Sequence, residues 1–142
     1  MAESTAHVTW HGSLLEGAGT IESVGSGVFS SLPITWQART GEEEGKTTPE
    51  ELIAAAHASC FSMALSHGLA GAGTPPESLE ASATVTFVPG TGITKIALTV
   101  RASVPGIDEA AFLEAAEAAR VGCPVSKALA AVPEITLDAA LA

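Results

Sequence analysis

Between Glu51 and Glu77 the chain carries no Asp, Glu, Lys or Arg, and a single cysteine, Cys60, sits in the middle of that run. A stretch of this length without charge has to be covered by protein or lipid, so the rest of the fold is organised around it. Its opening is a helix start: Thr48-Pro49-Glu50-Glu51 supplies an N-cap hydroxyl, a proline at the first helical position, acids in the first turn and a T-x-x-E capping box. Leu52, Ile53, the alanines at 54–56, Ala58, Phe61, Met63, Ala64, Leu65 and Leu69 then fall on every side of a helix. The expectation is a helix enclosed all round, with small residues that allow a second helix, one from another subunit included, to approach closely.

Roughly 20 apolar residues suffice to cross a bilayer, so a membrane span has to be considered. His57, Ser59, Ser62, Ser66 and His67 interrupt the run, and Gly68, Gly71, Gly73 and Pro75-Pro76 end it without basic flanks. A soluble core helix is expected. The start of the chain, MAESTAHVTWHG, has neither a basic nor an apolar signal region, which makes a reducing, cytoplasmic setting the default. There Cys60 and Cys123 are either redox-active or two inert thiols, and a permanent disulfide is not expected.

The 142 residues suit one domain, residues 1–142. Hydrophobic residues make up 46% of the chain but aromatics only 4%, so the core is built of small side chains and favours close packing or a core shared between subunits. Six Lys and Arg against sixteen Asp and Glu give a formal charge of -10, which repels nucleic acid and anionic lipid.

Residues 6–14 and 20–24 read as short strands around a glycine turn. His7 and His11 lie on one face of the first, too far apart to share a metal easily. Residues 34–39 alternate, Ile34, Trp36 and Ala38 against Thr35, Gln37 and Arg39, and predict a strand that delivers Arg39 to the edge of the polar loop 41–46. A surface pairing of Arg39 with that acidic loop is the plain alternative to a functional role. Residues 79–88 and 93–104 alternate cleanly and form an antiparallel hairpin, with Ile96, Leu98, Val100, Ala102 and Val104 inward. Asp108 caps a helix running to about residue 120, Gly122 stops it, Pro124 opens another, and residues 134–141 close the chain as a strand.

A cysteine in mid-helix is most simply a small buried hydrophobe, inert because apolar surroundings raise its pKa. Cys123 differs: it stands immediately before a helix start, where backbone N–H groups favour a thiolate. Peroxide chemistry needs a thiolate, a cation or donor beside it, and a second thiol to trap the sulfenic acid. Cys60, Arg39 and Cys123 supply one of each, and a carboxylate that holds the arginine would complete the set. At 100° per residue Glu51 lies about opposite Cys60 while Glu50 is within about 80° of it, so Glu50 is the functional candidate and Glu51 the capping residue. Ten residues of straight helix also set Glu50 about 15 Å from Cys60 along the axis, so the two cannot touch. A cysteine hydrolase with His57 or His67 as base lacks any oxyanion-hole motif, and a non-enzymatic, small-ligand-binding or structural dimer whose cysteines merely pack is the other competing reading.

TPEELIAAAHASCFSMALS, GITKIAL, VPGID, VGCPVSKAL and EITLD together resemble the OsmC/Ohr family over nearly the whole chain, and its osmotically inducible OsmC branch most closely. The resemblance implies an α+β, OsmC-like fold in which antiparallel sheets wrap central helices in an intertwined homodimer. It implies a thiol-dependent peroxidase for organic hydroperoxides, without haem, flavin or metal. By motif position Cys60 matches the peroxidatic cysteine, Cys123 the resolving cysteine, Glu50 the family carboxylate and Arg39 the family arginine. The implied cycle passes through a Cys60 sulfenic acid and a Cys60–Cys123 disulfide, regenerated by a dithiol reductant, in the family often lipoyl-type. Phe61, Met63 and Leu65 would then offer apolar surface to an alkyl hydroperoxide, and they equally suit an ordinary core.

Overall fold

A computed structural model describes residues 1–142, which divide into two compact units, Met1–Leu52 and Ile53–Ala142. The first is an antiparallel sheet in the order β1 (Ala6–His11), β2 (Ala18–Val24), β3 (Ser30–Ile34), followed by one short helix, α1 (Trp36–Arg39). Gly19 pairs with Trp10 across the β1–β2 ladder, and a Cβ there would stand 2.6 Å from the indole ring, so only glycine lets the ring lie against the strand. Every residue of β1 is exposed, Val8 and Trp10 included.

The strand expected over residues 34–39 is corrected here. It ends at Ile34, and Thr35 turns the chain into α1 by accepting a hydrogen bond from the Ala38 amide at 3.1 Å. Six alternating residues cannot by themselves distinguish strand from helix, and the N-capping hydroxyl decides between them. Pro33, which cannot donate to a ladder, sits on the edge strand, where proline is tolerated.

Helix α2 (Pro49–Gly71) starts as its sequence indicates: the Thr48 hydroxyl accepts from the Glu51 amide at 3.0 Å. The Glu51 carboxylate takes the Thr47 hydroxyl at 3.0 Å. At the other end Gly73, at φ +86°, lets the Thr74 amide return to the Leu69 carbonyl at 2.9 Å, closing the last turn.

In the second unit β4 (Ser78–Val88) and β5 (Gly92–Ser103) form the expected hairpin, and β6 (Glu134–Leu141) adds to the far side of β5. Antiparallel pairing holds from β1 to β5; β6 departs from it and runs parallel to β5. The reason is the connection, since helices α3 (Glu109–Gly122) and α4 (Pro124–Ala128) carry the chain back before it re-enters the sheet. Asp108 caps α3 through the Ala111 amide at 2.8 Å. As the central strand, β5 is the most buried: Ile96, Leu98, Val100 and Ala102 are at most 1% exposed. Leu98, Val100 and Ala102 pack with Phe61, Leu65 and Leu69 of α2 and with Phe112 and Ala116 of α3.

Helix α2 has the length and hydropathy of a membrane span, yet its His57-Phe61-Leu65-Leu69 stripe is buried in this core. The expected all-round enclosure is not met within one chain. Beyond Glu50 in the first turn, only that stripe, spaced four residues apart, is buried, while Ala55, Ala56, Ser59, Met63, His67 and Ala70 face outward.

Candidate active site

Arg39, the last residue of α1, and Glu50, in the first turn of α2, meet within the first unit. Arg39 Nε donates to both carboxylate oxygens of Glu50 at 3.0 and 3.2 Å, and Nη2 donates to Oε1 at 2.7 Å. This is the forked, charge-assisted geometry that orients a guanidinium most firmly. The Glu50 side chain is 7% exposed and that of Arg39 33%, so the carboxylate is covered while part of the cation remains open. The acidic loop is engaged elsewhere. Glu43 pairs with Lys46 and accepts the Thr35 hydroxyl at 2.6 Å, and these contacts, Lys46 first, hold its carboxyl below the usual range. Glu51 is exposed and bound to the cap.

Both cysteines are free thiols within the second unit, near enough that each alters the other's acidity. Cys60 lies on α2 and is half-buried; Cys123 lies between α3 and α4 and is completely covered. Burial pushes the Cys60 thiol up, the contact with Cys123 adds to this, and the Val125 amide partly offsets it. Burial works against ionisation of Cys123 too, but there the donors win: Cys60, the Ser126 and Val125 amides and the Ser126 hydroxyl together bring it below the ordinary thiol value. The covered sulphur is therefore the more acidic of the two and the accessible one the less acidic.

His57, one turn before Cys60, is fully buried and directs Nε2 to the Ser126 hydroxyl at 2.7 Å. Its Nδ1 is buried without a partner, and burial lowers its pKa. His57 is thus hydrogen-bonded to serine rather than to Cys60 as a hydrolase base, and His67 is exposed. Ser126 escaped the sequence reading. The available signal was its place three residues after the helix-capping Cys123, where a side chain turns back toward the cap.

Residues 41–138 match the family described as OsmC-like protein. The chain belongs to the OsmC family. It is 48% identical over 132 residues to the peroxiredoxin OsmC of Escherichia coli (strain K12), covering 91% of this chain and 90% of that protein, and equally similar to its counterpart in Shigella flexneri. The organic hydroperoxide resistance protein OhrB of Bacillus subtilis superposes with a TM-score of 0.68 at 26% identity, over 96% of this chain and 98% of that one. An OsmC-like protein of Vibrio cholerae superposes at 0.71 with 20% identity, over 99% and 100% of the two chains, a likeness of fold. This is the α+β OsmC fold.

Of the two readings open to Phe61, Met63 and Leu65 in this OsmC-family chain, the core takes the first and the last. Phe61 and Leu65 are fully buried in the core and cannot line an approach to Cys60, because their positions on α2 turn them toward β5. Met63 alone of the three faces outward, 72% exposed.

Proposed function

We propose that this OsmC-family peroxidase reduces organic hydroperoxides to alcohols through a Cys60 sulfenic acid and a Cys60–Cys123 disulfide. The observation that carries the reading is the contact between two free thiols of unequal exposure. A substrate can reach Cys60, whereas Cys123 is covered and positioned only to trap what forms there. When Cys123 is ionised, transfer of the Cys60 proton to it leaves the thiolate on Cys60. The Cys60 thiolate then attacks the peroxide O–O bond, alcohol leaves, and the sulphur retains one oxygen. Cys123 displaces that oxygen as water, and a dithiol, for which the lipoyl type is suited, reduces the disulfide and leaves as its own cyclic disulfide.

Arg39, which Glu50 holds in a forked ion pair, enters this reading through its match to the family arginine, as the cation that orients the peroxide and stabilises the departing oxygen. Met63, exposed one turn after Cys60, provides apolar surface for an alkyl group. The working form is a homodimer. Its support is the outward apolar surface of a single chain: β1 exposed throughout, and the uncharged outer side of α2 with Met63 bare. Sedimentation at micromolar concentration should give twice the chain mass, and an active monomer would remove the dimer.

Intact mass spectrometry after one equivalent of cumene hydroperoxide tests the cycle. Wild type should lose two hydrogens, and Cys123→Ser should gain one oxygen. An unchanged wild-type mass would sink the peroxidase reading in favour of cysteines that only pack.

A further inference from the structure

Helix α4 is a five-residue turn, too short to hold its shape alone, so its attachments decide where it lies. With it goes Cys123, the residue that opens it. One attachment is the backbone: the Cys123 amide donates to the Ala119 carbonyl of α3 at 2.9 Å, and the Cys123 carbonyl accepts from the Lys127 amide at 3.1 Å. The other is a side chain. Ser126 is the one buried residue of α4, and its hydroxyl lies 2.7 Å from Nε2 of His57 on α2. Each end of this hydrogen bond stands one turn from a cysteine. His57 precedes Cys60 by three residues, about 4.5 Å along α2 and about 60° around it, and Ser126 follows Cys123 by three.

Filling this space did not require polar groups. His57 is 0% exposed and its Nδ1 has no protein partner, a cost that a leucine facing an alanine would avoid. The hydrogen bond adds what apolar packing lacks, since it is satisfied only near one distance and one approach angle whereas methyl groups tolerate sliding. Tied in this way, α4 has one register on α2, and the cysteine that begins it keeps one place relative to the turn that carries Cys60.

We propose that the His57–Ser126 hydrogen bond is a clamp that sets the register of α4 on α2 and so holds Cys123 where it traps the Cys60 sulfenic acid. The clamp rests on the peroxidase reading above and gives its second step two positioning residues. In that step the Cys123 sulphur forms the bond to the Cys60 sulphur and the S–O bond breaks. The departing hydroxide takes up the proton that the Cys123 thiol has lost and leaves as water, so one thiol and one sulfenic acid become one disulfide and one water. The clamp itself exchanges no atom or electron. Its value lies in speed, because closure competes with a second hydroperoxide molecule, which would carry Cys60 on to the sulfinic acid, a form that thiols do not reduce.

The test is a single-turnover measurement on the full chain, reduced and mixed with one equivalent of cumene hydroperoxide, acid-quenched at intervals and weighed intact. Addition of oxygen reports attack at Cys60; loss of two hydrogens reports closure. Ser126→Ala and His57→Leu should leave attack within about twofold and slow closure about five- to tenfold, the worth of one neutral hydrogen bond. Under excess hydroperoxide both should accumulate chains two oxygens heavier than the reduced protein. His57→Gln, whose amide reaches the place of Nε2, should close within about twofold of wild type. The double variant His57→Leu with Ser126→Ala separates position from packing: with both polar groups gone its Tm should return to the wild-type value or above, while closure stays slow. Should a single variant fail to fold, the double variant and His57→Gln decide. Wild-type closure in Ser126→Ala and His57→Leu would overturn the clamp while leaving the peroxidase intact, and so would a double variant whose closure recovers along with its Tm. Equal slowing of attack and closure, or a His57→Gln chain as slow as His57→Leu, would assign the loss to the fold as a whole and overturn it as well. A wild type that gains no oxygen and forms no disulfide would overturn the peroxidase reading and the clamp together.

Discussion

Two pairs on α2 solve opposite problems. At the first turn Arg39 and Glu50 make an ion pair whose product is geometry: three hydrogen bonds aim one guanidinium. Cys60 in the middle of α2 and Cys123 between α3 and α4 instead set each other's acidity, Cys60 becoming the weaker acid and Cys123 the stronger. One pair offers a fixed orientation, the other two thiols of unequal acidity and exposure.

The sharpest way to break the contrast is to remove the sulphur. Cys60→Ser should abolish peroxide turnover, by about a thousandfold or more in kcat/KM, with the Arg39–Glu50 pair untouched. Glu50→Gln attacks the other partner: the amide cannot receive the fork as an anion, and kcat/KM should fall about 10- to 100-fold in a peroxidase assay while both thiols still titrate with a thiol reagent. If Glu50→Gln instead changed the thiol acidity, the two pairs would not be independent. A smaller effect is expected from Thr48→Ala, which loses the cap of α2 and should cost about 1 kcal/mol of stability, read as a Tm lower by several degrees, with little change in rate. Last, Cys60→Ala removes one of the donors that make Cys123 acidic. Burial then weighs more heavily, and the thiolate absorbance of Cys123 should appear at higher pH than in Cys123 of the wild type.

Much of this was legible in the order of residues. Thr48-Pro49-Glu50-Glu51 states a helix start so fully that capping and function could be divided between its two acids, and the structure places the Glu51 amide on Thr48 and the Glu50 carboxylate on Arg39. The alternation at 79–88 and 93–104 is decisive because a hairpin with one buried face allows only one register. Three matters lay beyond it. The stretch 34–39 was too short for its alternation to outweigh a capping Thr35. The parallel direction of β6 depends on the crossover, which no local pattern records. Ser126 gains meaning only when α4 is folded against α2, because its partner His57 is 69 positions away in the chain.

The contact between Cys60 and Cys123 has a mechanical consequence. The two sulphurs join α2 to the junction of α3 and α4 across most of the second unit's sequence. Closing a covalent loop of that size removes roughly 4 kcal/mol worth of freedom from the unfolded chain. Each turnover would thus stiffen the protein and then release it. A melting curve recorded before and after exposure to hydroperoxide would act as a gauge of how many molecules are waiting for their reductant.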